Sequence, residues 1–158
     1  MKRIFSILSV LLIWITLSGH QLQMAKGIQK VEFSTLSRGG HYEQIVITKD
    51  TLRFQKEKRR SREEKQTFSR IIEEVEWKEL IQNTEHLNLH EIPTLKSPTM
   101  KRSYDGARHS EIIITTYENQ QYIHRFDDEN PHELLKPLLQ SIFKLRDLII
   151  RRGRESFK

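Results

Sequence analysis

The sequence predicts an α+β domain, an antiparallel sheet of about five to six strands with two helices packed on one face. Three observations lead there. Apolar and polar residues alternate with period 2 from Ile28 to Phe54, the pattern of half-buried strands. Between residues 68 and 81 the apolar face reverses in a way that no single surface helix can bury. From Leu134 to Ile149, the residues Leu134, Leu135, Leu138, Ile142, Leu145 and Ile149 recur at helical spacing. A chain of 158 residues, 36% hydrophobic and 30% charged, holds one domain and enough apolar side chain for a core. It has no cysteine, which excludes disulfides, thiolate zinc sites, iron–sulfur clusters and thiol nucleophiles together.

Lys2 and Arg3 precede an apolar run from Ile4 to Ser18, the charged-then-apolar order of a secretory signal. Residues 1–25 are assigned to that signal, and the periplasm or cell envelope is the expected location. The run is shorter than the roughly 20 residues that span a bilayer, so cleavage is expected. An uncleaved anchor is the alternative, because Thr16-x-Ser18 is the one acceptable small-residue site. His20 stands where a lipoprotein would carry its lipidated cysteine, which excludes that form of anchoring. Without Lys2 and Arg3 the formal charge falls from +6 to +4. Mild basicity outside the cytoplasm argues against nucleic acid and for an envelope protein or anionic surface as partner.

Residues 26–147 form the expected single domain. Val31 and Phe33 begin a strand, Gly39-Gly40 supplies a turn, and Ile45-Val46-Ile47 and Leu52-Arg53-Phe54 flank a tight hairpin at Lys49-Asp50. The mixed charge run 56–65 reads as a solvated loop. On one continuous helix, Phe68, Ile71, Ile72 and Val75 would oppose Trp77, Leu80 and Ile81. The pattern therefore breaks into an extended segment over 68–72 and a helix from about Glu74, with Glu73, Glu74 and Glu76 at its positive end. Residues 82–110 are loop-rich, with Pro93 and Pro98, and loops of that length usually have a task. Ile112-Ile113-Ile114 and Tyr122-Ile123 form a further hairpin around residues 118–121. Asn130-Pro131-x-Glu133 reads as a helix start with Asn130 as N-cap, and Pro137 must kink or restart that helix. Residues 148–158 are expected to be a basic C-terminal tail, frayed at Arg151-Arg-Gly-Arg154.

The spaced elements Ser37-Arg-Gly-Gly40, Glu76-Trp77-x-x-Leu80, Leu95-x-x-Pro-Thr99, Asp105-Gly-Ala107 and Phe126-Asp127-x-x-Asn-Pro131 resemble those of an uncharacterised family of small exported proteins of Bacteroidota. The resemblance covers most of the chain after the signal and implies export and a single compact domain. It brings no activity, cofactor or partner. Relatives of that kind tend to follow the Phe-Asp pair with a glycine-containing turn, where this chain has Asp128-Glu129.

No catalytic residue, metal site or cofactor is expected. There is no Gly-x-Ser-x-Gly elbow, no glycine-rich phosphate loop, and no glutamate following His86 in the manner of a zinc protease. His86 and His90 fall where the helix ends, and Asp127-Asp128-x-Asn130 lacks the turn glycine of a calcium loop, so helix capping is its expected use. The candidate binding residues are Arg38, Arg102, Asp105, Arg108 and Asp127. Asp105-Gly106 lies beside Arg102 and Arg108, as an ion pair, half of a site, or a self-bonding turn. Arg38 before Gly39-Gly40 is an anion-binding corner or a solvated hairpin end. Two functions follow. The first is a non-enzymatic module that binds an envelope protein through the 82–110 loop and an open sheet face or edge. The second is a small-ligand binder or hydrolase using Arg38, Asp105 and Asp127, if these converge.

Overall fold

The computed structural model describes residues 27–58, 65–104 and 106–155, with side chains to Gly153. The expected export signal, Asp105 and most of the charge run before Lys65 lie outside the described residues. Six strands, β1 (Ile28–Leu36), β2 (His41–Thr48), β3 (Thr51–Lys58), β4 (Gln66–Ile71), β5 (His109–Thr116) and β6 (Gln121–Asp127), form one sheet in the order β4-β3-β2-β1-β5-β6. Every pairing is antiparallel. Two helices, α1 (Glu74–Gln82) and α2 (Lys136–Glu155), complete the α+β fold.

The register explains the core. Val31 lies opposite Ile47 and Ile114, and Phe33 opposite Ile45 and Ile112, so period-2 alternation in four strands projects one apolar stripe to one face. Leu52 and Phe54 extend it toward β4, Tyr122 and Phe126 toward the other edge. The opposite face is polar, with Ser34, Gln44, Gln55, Glu111 and Arg125 in adjoining register and Arg125 3.3 Å from Glu111. Turn chemistry fixes the hairpins. Gly40 takes φ 82°, which a side chain would oppose, while its N–H donates to the Ser37 carbonyl at 3.0 Å. Thr48 Oγ1 accepts from the Thr51 N–H at 3.0 Å across Lys49-Asp50.

The reversal of apolar face resolves as the sequence reading has it. β4 ends at Ile71, α1 starts at Glu74, and Trp77 and Leu80 are buried. The Glu73 N–H donates to Glu76 Oε2 at 3.0 Å, satisfying one donor of the first turn. Glu76 also receives a two-pronged hydrogen bond from Arg70 at 2.7 and 2.8 Å, tying β4 to the helix.

The start and end of α2 differ from the expectation. Asn130 is not its N-cap, because the chain is still extended at His132 (ψ 144°) and the first turn begins only at Glu133, while Asn130 pairs back to Asp127 in an isolated bridge. The cap is His132, whose ring nitrogen accepts from the Leu134 N–H ahead of a 3-10 turn, Glu133–Leu135. The helix restarts at Lys136, with Pro137 in the first turn, where no earlier carbonyl waits for its missing N–H. Nor is the chain frayed at Arg151-Arg-Gly-Arg154, since the helix runs to Glu155. Ile149 is buried, and a Cβ on Gly153 would stand 2.3 Å from the Phe68 ring. Geometry demands this length. Five strand intervals of about 4.8 Å make a sheet roughly 24 Å wide, and 20 helical residues span about 30 Å. α2 therefore crosses from the β6 side, past Phe33 with Phe143 edge-on at 5.1 Å, to β4.

Candidate functional site: the clamped loop at the β6 edge

Between α1 and β5 the chain runs back along β6, the edge strand. Asn88 caps a 3-10 helix, Leu89–Thr94, by accepting from the His90 N–H at 3.2 Å, and Leu89 and Ile92 enter the core. Ile92 thereby seals the loop against the sheet. Residues 95–104 continue past the end of β6, where a second 3-10 turn, Lys101–Ser103, forms.

The side chain that organises this loop is Asp127, only 1% exposed. Its Oδ2 accepts from the Thr99 hydroxyl at 2.5 Å and the Lys101 N–H at 2.6 Å, and its Oδ1 from the Arg102 guanidinium at 2.7 Å. Burial by itself would raise the Asp127 pKa. The hydrogen bonds from Thr99, Arg102 and the backbone outweigh it and hold the carboxyl below its ordinary range. The group is thus a fixed anion enclosed by its own chain.

The sequence-predicted residues that are described, Arg38, Arg102, Arg108 and Asp127, share one end of the sheet. Leu36 pairs with His109, and His109 with Asp127, so the residues just after β1, before β5 and at the end of β6 are neighbours. Arg38 is exposed and lies across Gly106, its Cδ 3.6 Å from where a Cβ on that glycine would stand. Gly106 has φ 73°, the second position where glycine is required. The Arg108 N–H donates to Asp128 Oδ1 at 3.0 Å, and its guanidinium lies 3.6 Å from Glu129, which also faces Arg146 at 3.5 Å. Arg102 is at that end too, but turned inward. It is committed to Asp127, with its side chain 19% exposed. Arg38 and Asp127 are therefore brought to one end, while the Asp127 carboxylate is enclosed by Thr99, Lys101 and Arg102.

Three features escape sequence reasoning. Thr99 and the Lys101 amide, 28 and 26 residues from Asp127, carry no motif that links them to it. Met100 and Tyr104, 55% and 73% exposed, project from the loop the carboxylate fixes. His124 is 2% exposed, and here a signal existed, since it alternates with Tyr122 and Phe126 on the apolar side of β6. Its pKa is pushed down to about 4, by burial first and then by His132, with a backbone hydrogen bond at Leu95 opposing. His86 and His90 are not a pair. His86 Nε2 meets the Leu134 carbonyl at 3.1 Å, whereas His90 stands edge-on to Tyr122 at 5.2 Å. Among the described residues no group of three or more His, Asp or Glu side chains is arranged to hold a metal ion. No helix of the described residues is long and apolar enough to cross a membrane.

Neither a protein-family model nor a curated protein matches this chain.

Proposed function

We propose that the protein is an exported, non-enzymatic binding module of the cell envelope, which holds a partner protein on the clamped loop over residues 96–108. The observation that carries the reading is the pairing of exposed Met100 and Tyr104 with a backbone pinned by the buried Asp127 carboxylate. Large side chains held on an ordered loop lose little freedom on binding, and Tyr, Met and Arg are the types enriched at protein interfaces. Arg38, exposed at the same sheet end, adds a positive charge that fits an acidic rim on the partner. The rival reading, a hydrolase or small-ligand site using Arg38, Asp105 and Asp127, is weakened by the enclosure of Asp127. A general acid or base must exchange its proton with substrate or water.

Arg102 is unsuitable for testing this, because removing it would unclamp the loop. A photoreactive phenylalanine at position 104, with one at position 67 on β4 as control, should give in cells a discrete adduct at 104 alone. Adducts at both positions, or at neither, would overturn the proposal. Export is checked by the intact mass of the chain recovered from the envelope fraction, expected to lack residues 1–25. Recovery in the cytosol alone would sink it.

A further inference from the structure

His124 and His132 occupy the corner where β6, the long loop and the entry to α2 meet, and their hydrogen bonds run in one direction. The His132 N–H donates to His124 Nε2 at 3.2 Å, and the Leu134 N–H donates to His132 Nδ1 at 3.4 Å. Each ring nitrogen can accept only while it carries no proton. The other side of the His124 ring bonds the Leu95 backbone, so Nδ1 carries its hydrogen and Nε2 is the one position open to protonation. A proton there would face the His132 N–H donor to donor.

The surroundings give His124 no relief in place. Phe126 stacks on it at 5.4 Å along its own strand, and Ile112 is its neighbour on β5. Tyr122, two residues back on the same side of the strand, meets the His90 ring. The charged or titratable groups that bear on it are His132, from the turn before α2, and Arg102, from the loop. Both disfavour an added positive charge. A proton can be accommodated only if the ring leaves this contact, and of its two sides the connection holding His132 is tied by single turn bonds while β6 is locked to β5 by its full ladder.

We propose that the His124–His132 contact is an acid-operated latch which, on protonation, releases the turn between β6 and α2 while the sheet stays folded. This inference is independent of the partner reading. The group's ordinary value is 6.5 and its latched value about 4, so the open form takes up the proton first as pH falls. The latch is closed above pH 6.5 and opens progressively as pH falls toward 4. Between pH 7 and pH 5 the linkage amounts to a rise of about twentyfold in the open population.

The test is hydrogen–deuterium exchange of the full chain at pH 7 and pH 5, corrected for intrinsic exchange rates, comparing peptides over 128–136 with peptides over 28–36. Protection over 128–136 should fall at least tenfold at pH 5 while β1 keeps its protection. His124→Gln can accept from the His132 N–H but cannot gain a charge, so it should abolish the pH effect. An unchanged wild-type profile, an equal loss in β1, or the same acid response in His124→Gln would refute the latch. If that variant does not fold, imidazole nitrogen shifts of the wild type decide. Unprotonated Nε2 at pH 7 supports the latch, and protonated Nε2 overturns it.

Discussion

Replacing Asp127 by asparagine tests the clamp directly, because the side chain keeps its size and loses its charge. The carboxylate has three donors distributed over two oxygens, Thr99 and Lys101 on one and Arg102 on the other. An amide can present only one oxygen. If that oxygen faces Thr99 and Lys101, the new NH2 opposes the Arg102 guanidinium; if it is turned over, the NH2 opposes two donors. Either orientation leaves a mostly buried Arg102 without its counter-charge or the loop backbone without an acceptor. Breaking one side of a buried pair costs about 3–5 kcal/mol, a large share of the roughly 5–15 kcal/mol by which domains are stable. Urea unfolding of wild type and Asp127→Asn at pH 7, followed by far-ultraviolet circular dichroism, should differ by about 3 kcal/mol. Tm should fall on the order of 10 °C. The pH dependence is a second mark. The folded pKa of Asp127 lies below the ordinary 3.8, so its stabilisation is present above that value and is lost as pH falls below it. The two proteins should therefore converge in stability at low pH. A difference under about 1 kcal/mol at pH 7, or one that stays constant with pH, would refute the clamp.

Two further substitutions probe how the helices are joined to β4. Gly153→Ala would ordinarily stabilise a helix by about 1 kcal/mol, but here the added Cβ meets the Phe68 ring at 2.3 Å, and overpacking costs about 1–3 kcal/mol. Thermal melts should show a lower Tm, and a rise would mean that α2 does not reach β4. Glu76→Gln should lose about 2 kcal/mol in urea titration by leaving Arg70, with its side chain 13% exposed, without its anion. The Glu76 pKa is lowered by Arg70 above all, so this loss should be seen above pH 4.5 and fade as pH falls below it.

The fold was legible wherever neighbouring residues decide it. Alternation at Val31-Glu32-Phe33 sets a strand, Gly39-Gly40 a turn, and the opposed faces of Ile72 and Trp77 force a break between β4 and α1. Legibility fails where a side chain is committed at long range. Arg102 reads locally as a neighbour of Asp105, three residues on, yet its guanidinium is committed to Asp127, 25 residues away. Asn130-Pro131 has every local mark of a helix start, but the chain turns back to bridge Asp127 there and stays extended to His132, which becomes the cap. The C-terminal residues look like a charged tail because Gly153 weakens the local helical signal. The contact that keeps them helical, Phe68, lies 85 positions earlier in the chain.

The two edges of the sheet are treated differently, and the contrast bears on where a partner would bind. β6 is an edge whose outer side the chain covers with its own loop, fastened by Asp127 on one face of the strand and, through the Leu95 backbone, by His124 on the other, three residues apart. Arg102 links the two fastenings, since it neutralises Asp127 and also opposes a proton on His124. β4 has no such cover among the described residues, but its one charge, Arg70, is turned inward and held by Glu76, an arrangement that discourages strand addition. A chain that discourages pairing at one edge and spends a buried carboxylate to hold a loop over the other presents that loop as its most fixed irregular surface. The exposed Tyr104 and Met100 stand on it.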